Sequence, residues 1–399
     1  MLLQQNMVEC KRNLMKNKCV VVMLSGILVC MSLLLIHSSV TNIGPLMKWT
    51  GSLTNQSLID IKVANEIYTS NRTFRILWYN PPPFIKAHRK YAMSCGFQTC
   101  KCSNCKMSFE RIDANRSQAI IFDGRFMPRN LNFTRPDGQI WIFAAHESPL
   151  TYGSGGNWWY RNKQYIFNWT MTYDKDNTDI FLPYGEILKR EFEVRRDFKS
   201  IALNKNKTLL MIASHCHTPS KRREYVNKLK RYIDVDVLGQ CGKRWNCGIR
   251  FRHEEKCFQL LNTSYKFYLA FENALCHQYF TEKFYENFNY DIIMLTRGGT
   301  KNESKILFPE GTYIASEHFK SIKDLGTYLK NLSVDEYVEL LKQKSQFYFP
   351  GYKKVYQRAL CDICERMNYQ SKYSKTIQNI KEWAYGSQPC LQRKQVTDI

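Results

Sequence analysis

Residues 265–288 read YKFYLAFENALCHQYFTEKFYENF and indicate a buried strand, a loop and then a helix. The strand is the uncharged run Phe267–Phe271, which leads into Glu272 and Asn273. Thr281 is a favourable N-cap residue, so a helix with inward-facing aromatic side chains is predicted to begin there. A strand followed directly by a helix is the building unit of a parallel βαβ sheet.

Similar apolar runs recur on both sides of this stretch, and helical patterns alternate with them in the second half of the chain. The predicted strands are Arg75–Tyr79, Ala119–Phe122, Ile140–Ala145, Thr208–Ala213, Val235–Leu238 and Ile292–Leu295. A helix is predicted from Ser220, and its inward stripe is Tyr225, Leu229, Tyr232 and Ile233. The alternation predicts an α/β protein with parallel sheets, and the charged stretch 189–207 is the predicted boundary between two halves.

The start of the helix after Thr281 is the first candidate binding site. It places Glu282 and Lys283 at the carboxyl edge of the predicted sheet. Free backbone N–H groups, the helix dipole and the Lys283 charge favour an anion, which predicts a diphosphate or sugar-nucleotide site. A capped surface helix with solvated charges is the alternative, and the pattern alone leaves both open.

A second candidate site follows the strand Ile140–Ala145, where His146 and Glu147 emerge at its carboxyl edge. A carboxylate in that position is suited to act as a general base for a hydroxyl nucleophile. The loop that follows is rich in glycine and in aromatic residues suited to stacking on a sugar: Trp158, Trp159 and Tyr160. A surface acid beside core aromatic residues is the alternative interpretation.

Composition and charge narrow the class of partner. The 399 residues are 44% hydrophobic and carry 58 Lys and Arg against 35 Asp and Glu, a formal net charge of +23. Such a chain is long enough for about two folded domains and too apolar to be disordered. The positive charge favours an anionic partner, which nucleic acid, a membrane surface and a phosphorylated small molecule all satisfy.

The N-terminus predicts the compartment. An uncharged run, 19–36, follows a tail with four basic residues, which predicts a type II membrane anchor and a lumenal body. A cleaved signal peptide is the alternative. Twelve of the 15 cysteines follow this run, an even number consistent with disulfides. Candidate N-glycosylation sites are Asn55, Asn71, Asn115, Asn132, Asn168, Asn206, Asn262, Asn302 and Asn331. A lumenal body excludes nucleic acid as a partner.

Two groups of residues suggest metal sites, and each has a simpler explanation. Zinc sites can be assembled from Cys95, Cys100, Cys102 and Cys105, or from His215, Cys216, His217, Cys241 and Cys247. Lumenal cysteines pair with each other more often than they bind zinc, so disulfides are preferred. Asp234 and Asp236 resemble a Mn²⁺-binding pair but lie in a strand pattern, and they are interpreted as structural.

Four segments in order resemble the α1,3-fucosyltransferases of glycosyltransferase family 10, and the resemblance extends from Arg75 to Trp383. The segments are HESP (146–149), FNWTMTY (167–173), DIFLPYG (179–185) and FENALCHQYFTEK (271–283). The resemblance implies a GT-B fold, in which two Rossmann-like domains face a cleft, here preceded by one N-terminal transmembrane helix. It implies GDP-β-L-fucose as donor and a GlcNAc-containing N-glycan or LacNAc-type glycan as acceptor, with inversion at the fucosyl carbon. The resemblance also implies that the fold requires no metal, and stimulation by Mn²⁺ or Mg²⁺ is left open.

The resemblance also implies individual roles. Glu147 matches the general base, and Arg222, within Ser220–Tyr225, matches a cation on the GDP phosphates. Glu282 is expected to face the ribose and Lys283 a phosphate, while Asn273 and Tyr279 line the nucleotide. N-terminal cysteines are expected to bond with the C-terminal CxxC, so the disulfide candidates are Cys95, Cys100, Cys102, Cys105, Cys361 and Cys364. Residues 292–304 depart from vertebrate members and look more like invertebrate ones, which places the acceptor in doubt.

The complete prediction is a type II Golgi α1,3-fucosyltransferase. Its parts are a cytoplasmic tail (1–18), a transmembrane signal-anchor (19–37), a stem (38–73), an N-terminal acceptor-side domain (74–200), a C-terminal GDP-fucose-binding domain (201–345), and C-terminal helices with the CxxC (346–399). The alternative from another functional class is a catalytically idle, glycan-binding or scaffolding member with the same fold.

Overall fold

The computed structural model describes residues 72–152, 165–245, 255–300, 303–387 and 389–397. Residues 1–71, with the predicted tail, the anchor and most of the stem, lie outside the described residues, as do the aromatic residues 158–160. Within the described ranges, no helix combines the length and the apolar character needed to cross a membrane.

The first sheet has six strands, all parallel, in the order β2-β1-β3-β4-β5-β6. They are β1 (Phe74–Trp78), β2 (Cys105–Ser108), β3 (Ala119–Asp123), β4 (Ile140–Ala145), β5 (Trp169–Thr172) and β6 (Ile180–Phe181). Parallel sheets are covered on both faces, which explains why the strands are almost continuously apolar. In β3, Ile121 packs into one hydrophobic cluster while Ile120 and Phe122 pack into another on the opposite face.

A short antiparallel pair is formed by β7 (Leu188–Lys189) and β13 (Phe347–Tyr348), which lie before and after the second sheet in the chain. The second sheet has five parallel strands in the order β12-β11-β10-β8-β9. They are β8 (Lys207–Ile212), β9 (Val235–Leu238), β10 (Tyr265–Phe271), β11 (Ile293–Arg297) and β12 (Tyr313–Ala315). The two parallel sheets confirm the α/β class predicted from the alternation of strands and helices.

Helices cover the faces of these sheets. They are α1 (Pro83–Ala87), α2 (Arg89–Ser94), α3 (Pro149–Tyr152), α4 (Phe198–Leu203), α5 (Arg222–Leu229), α6 (Glu255–Thr263), α7 (Glu282–Tyr285), α8 (Ser304–Leu307), α9 (Ile322–Asn331), α10 (Val334–Ser345), α11 (Tyr352–Asn368) and α12 (Ile380–Ser387). Short 3₁₀ helices lie at Arg111–Arg116, Ser316–His318, Gln370–Tyr373 and Arg393–Gln395.

Two predicted helices are shorter than expected. The helix from Ser220 ends at Leu229, so Tyr232 lies beyond it and is 37% exposed, contrary to its predicted inward position. The helix after Thr281 is the single turn α7, with Thr281 as its N-cap. A single turn has a weak dipole, so any anion at this edge must be held mainly by side chains.

Two disulfides, Cys100–Cys361 and Cys105–Cys364, fasten helix α11 to strand β2 of the first sheet and to the loop before it. This confirms the expected bonding of N-terminal cysteines with the CxxC. The disulfide candidate Cys102 was wrong: its thiol is free, because both CxxC sulfurs already have partners. A further disulfide joins Cys216 to Cys241, which removes both thiolates from the zinc alternative.

Asn168 is a glycosylation candidate whose side chain is part of the structure. Its Oδ1 accepts hydrogen bonds from Arg135 and from the amide of Trp141, and its Nδ2 donates to the Lys375 carbonyl at 3.1 Å. A glycan on Nδ2 would displace the segment around Lys375. In contrast, several other candidates are exposed, namely Asn115, Asn132, Asn206 and Asn331.

We therefore expect Asn168 to be unmodified in folded protein secreted through the eukaryotic pathway. The measurement is mass spectrometry of glycopeptides before and after enzymatic removal of N-glycans, with the exposed Asn206 as the internal comparison. Recovery of active protein with a glycan on Asn168 would contradict the prediction.

Candidate active site

In each sheet the order of successive strands reverses at one point, and a crevice forms there at the carboxyl ends of the strands. In the first sheet it lies between β1 and β3, beside β4, whose end leads to Glu147. In the second it lies between β8 and β10, and β10 leads to Glu272 and Asn273. Open α/β sheets bind ligands at such points, so the predicted site residues lie where the topology favours a site.

Glu147 is held by one charged and one neutral partner. Its Oε1 lies 3.1 Å from Arg125 Nη1, and its Oε2 accepts a hydrogen bond of 3.0 Å from the Tyr279 hydroxyl. The carboxylate is 30% exposed, so it is reachable by a ligand while its orientation is restricted from both sides. An oriented, accessible carboxylate is what a general base requires.

Tyr279 connects the candidate base to the loop after β10. The ring is 1% exposed, and its hydroxyl contacts Glu147 across 132 residues of sequence. Tyr184 packs edge-on against the Tyr279 ring, and its own hydroxyl donates to the carbonyl of His146. The segments HESP, DIFLPYG and FENALCHQYFTEK thus meet in space.

Two further titratable residues near Glu147, His146 and Asp123, are buried. Burial lowers the pKa of His146 to about 3, so its ring is neutral at physiological pH, and the ring lies 3.1 Å from the Tyr352 hydroxyl. Burial likewise raises the pKa of Asp123 to about 7, against the opposing effect of its hydrogen bond from the Arg125 amide. His146 and Asp123 are thus enclosed, whereas the Glu147 carboxylate is partly exposed.

Lys283 lies in a cluster of acceptors at the start of α7. Its Nζ lies 3.0 Å from Glu272, 2.7 Å from Thr281 Oγ1 and 3.2 Å from Glu282. Although burial opposes the charge, Glu272 and then Glu282 outweigh that effect and raise the pKa of Lys283. The lysine is therefore charged, and Glu272, which is fully buried, is the residue that fixes its position.

Arg222 is a buried cation at the same edge of the sheet. It is 3% exposed, and its two terminal nitrogens donate to the carbonyls of Phe271 (2.9 Å) and His215 (3.0 Å). Its Nε has no hydrogen-bond partner among the described residues. Burial lowers the pKa of Arg222, opposed chiefly by Glu272. A buried guanidinium with an unused donor is suited to an anionic ligand.

Asn273 adds an unused acceptor beside these cations. Its side-chain Oδ1 is buried without a partner within the described ranges, while its backbone carbonyl accepts from the Ser220 amide at 3.1 Å. The Ser220 hydroxyl in turn donates to the Glu272 carbonyl at 2.6 Å. The Ser220–Arg222 segment and the loop after β10 therefore form one polar cradle.

Sequence reasoning missed Arg125 and Glu272 as functional residues. Arg125 follows β3 as Glu147 follows β4, and neighbouring parallel strands end at the same edge, so position after a strand was a usable signal. Glu272 stood inside the quoted motif, directly after the uncharged strand. A carboxylate in that position is buried and needs a cationic partner, which Lys283 supplies.

The possible metal ligands form ion pairs and hydrogen bonds. Asp236 accepts from the Tyr265 hydroxyl at 2.6 Å and lies 3.3 Å from Lys207, which supports its structural interpretation. Asp174, Asp176 and His277 have ligand atoms within 4.8 Å of one another. Burial opposes the charge of His277, but its hydrogen bond with Asp174 and the nearby carboxylates raise its pKa.

The chain matches known proteins over both sheets. Residues 71–185 match the family described as fucosyltransferase, N-terminal, and residues 202–383 match glycosyltransferase family 10 (fucosyltransferase) C-term. Alpha-(1,3)-fucosyltransferase C of Drosophila melanogaster is 30% identical over 74% of this chain and 71% of its own length. Glycoprotein 3-alpha-L-fucosyltransferase A of the same organism is 27% identical over 82% of this chain, which spans 63% of that relative.

A solved α1,3-fucosyltransferase with GDP-fucose aligns with 68% of this chain and 83% of its own, at 17% sequence identity and a TM-score of 0.44. The family assignment depends on the sequence matches, which include both family segments in order and a relative at 30% identity over 74% of the chain. The chain therefore belongs to glycosyltransferase family 10 and is an enzyme of the fucosyltransferase class.

Proposed function

We propose that the protein transfers L-fucose from GDP-β-L-fucose to a GlcNAc-containing glycan in α1,3 linkage, with inversion. The observation that carries the proposal is the buried guanidinium of Arg222, whose Nε has no partner among the described residues. It lies beside Lys283 and Asn273 at the point where the strand order of the second sheet reverses. A diphosphate satisfies these cations, and the relatives named above are α1,3-fucosyltransferases.

In the proposed reaction Glu147 acts as the general base. Its carboxylate takes the proton of the acceptor hydroxyl, whose oxygen forms a bond to C1 of fucose while the bond from C1 to the GDP oxygen breaks. Attack on the face opposite GDP inverts the configuration in a single displacement. Tyr279 and Arg125 hold the carboxylate in place without removing its exposure to the cleft.

The departing GDP gains negative charge, and the proposal assigns Arg222 and Lys283 to stabilise it. Because both are oriented by buried acceptors before the ligand arrives, little rearrangement is needed as the charge develops. Lys283 already contacts three acceptors, so one of these contacts must be exchanged for a phosphate oxygen. Glu282 is the half-exposed member, and turning toward the ribose would release it.

No resident metal is part of the proposal, because two cations of the chain take the role of neutralising the diphosphate. Stimulation by Mn²⁺ or Mg²⁺ is a separate question. It is tested by measuring transfer with each ion and with EDTA. Complete loss of transfer in EDTA, restored by one ion, would contradict a metal-independent reaction.

The proposal includes a Golgi location with the catalytic domain in the lumen. The uncharged run 19–36, preceded by basic residues, supports a type II anchor. Disulfides between distant parts of the described chain support an oxidising compartment. Microscopy of the tagged full-length chain against Golgi markers, with protease protection of the tag, tests the location and the topology.

The deciding experiment is transfer by the purified full-length chain. The chain is incubated with GDP-fucose and a panel of N-glycan core and LacNAc-type acceptors, and the product linkage is determined. We expect one acceptor class to receive α1,3-linked fucose and GDP to raise the melting temperature. An idle glycan-binding member would show no GDP binding, and GDP binding without transfer to any acceptor would contradict the enzymatic proposal for this panel.

A further inference from the structure

Two residues with unusual backbone geometry precede two of the predicted donor residues. Lys221 and Gln278 both have φ of +51°, and they are the non-glycine residues with positive φ in the described ranges. Lys221 directly precedes Arg222, and Gln278 directly precedes Tyr279. This left-handed region is unfavourable for residues with a side chain, so it persists only where surrounding contacts enforce it.

The C-terminal segment Pro389–Thr397, here called the clasp, holds the loop before Tyr279. A disulfide joins Cys390 to Cys276, two residues before Gln278. Backbone hydrogen bonds flank it on both sides, from the Leu391 amide to the Leu275 carbonyl (2.8 Å) and from the His277 amide to the Pro389 carbonyl (2.9 Å). The loop is thus attached to the clasp by one covalent and two backbone contacts.

The same clasp also holds the turn before Arg222. Arg393 Nη1 donates to the Thr218 carbonyl at 2.6 Å, and the other nitrogen of its guanidinium pairs with Glu224. Lys221 itself donates from Nζ to the carbonyl of Val396 at 2.9 Å. The Val396 side chain is 3% exposed, so this end of the clasp is anchored by packing as well.

We propose that the clasp is a positioning element of the donor site, which holds Arg222 in its binding orientation through Lys221, and Tyr279 through residues 275–277, which precede Gln278. The inference rests on the proposed donor roles of those two residues. Arg393 and the Cys276–Cys390 disulfide do not contact the ligand in this proposal. They act by keeping two loops, which are far apart in sequence, in the conformation that the nucleotide requires.

The first test replaces Arg393 with Ala, with Lys394→Ala as the matched control because Lys394 is an exposed cation one residue away. We expect Arg393→Ala to raise the Kd for GDP about 10-fold and Lys394→Ala to leave the Kd unchanged. A 10-fold rise corresponds to about one tenth of the molecules keeping the turn before Arg222 in its binding conformation. The Kd is measured by calorimetry on the purified full-length chain.

Hydrogen exchange on the ligand-free protein separates this inference from the proposed function. We expect faster exchange at residues 218–222 in Arg393→Ala, and at residues 274–279 in a Cys276→Ser/Cys390→Ser variant. Because the two variants test different loops, the experiment remains interpretable if one of them fails to fold. A lower melting temperature with unchanged GDP affinity and unchanged exchange in both loops overturns the clasp. Absence of GDP binding by the unsubstituted protein overturns the donor site instead, whatever the exchange shows.

Discussion

Glu147→Gln is expected to reduce fucose transfer by at least about 100-fold while GDP affinity stays within about twofold. Glutamine has nearly the same shape, and its one amide oxygen can still accept from Arg125, while its amide nitrogen can donate to the hydroxyl oxygen of Tyr279. Glutamine cannot take up the proton of the acceptor hydroxyl. The loss therefore appears in kcat, and the melting temperature changes little because Glu147 is 30% exposed.

Glu193→Gln is the control for Glu147→Gln, because it removes the same charge from an exposed position in the segment between β7 and α4. It should leave transfer and GDP binding unchanged. Initial rates at saturating GDP-fucose, together with calorimetric GDP binding, give the two quantities to compare. Transfer by Glu147→Gln at more than one tenth of the original rate would show that another group is the base.

Lys283→Met is expected to weaken GDP binding by about 10- to 100-fold, the usual contribution of a hydrogen bond to a charged group. It also removes the cationic partner of Glu272, which is fully buried and whose pKa burial already raises. Leaving that carboxylate unpaired is expected to lower the free energy of unfolding by about 3 kcal/mol.

The double variant Lys283→Met/Glu272→Gln separates these two effects. The glutamine still offers Oε1 to Thr281, which now donates to Glu272 from both its amide and its hydroxyl. Stability should therefore recover in the double variant while GDP binding remains weak. Recovery of both properties would show that Lys283 serves only to neutralise Glu272, and would remove its proposed phosphate role.

The regular elements were largely predictable because hydrophobic patterning reports burial. Uncharged runs such as Ile140–Ala145 became buried parallel strands, and the strand within residues 265–288 became the centre of the second sheet. Helix lengths were less predictable. The pattern after Thr281 continues through Phe288, yet α7 ends at Tyr285, because aromatic residues are buried in loops as readily as in helices.

The site was predictable only where a residue follows a strand or belongs to a recognised motif. Glu147, Arg222 and Lys283 were predicted in this way, whereas the partners that orient them were not. Arg125 is 22 residues from Glu147, and no spacing rule connects them. Cys102 shows the opposite error: its place among neighbouring cysteines predicted a disulfide, but pairing depends on which sulfurs approach in space.

The sequence by itself determined the α/β class, the alternation of strands and helices, and membership of a fucosyltransferase family. These properties depend on local patterns and ordered motifs, which are readable along the chain. Only the tertiary structure decided which groups meet: Tyr279 with Glu147 in a hydrogen bond, Glu272 with Lys283 in an ion pair, and the C-terminal clasp with the two loops of the donor site. The physical reason is that hydrogen bonds and ion pairs act over about 3 Å, whatever the separation in sequence.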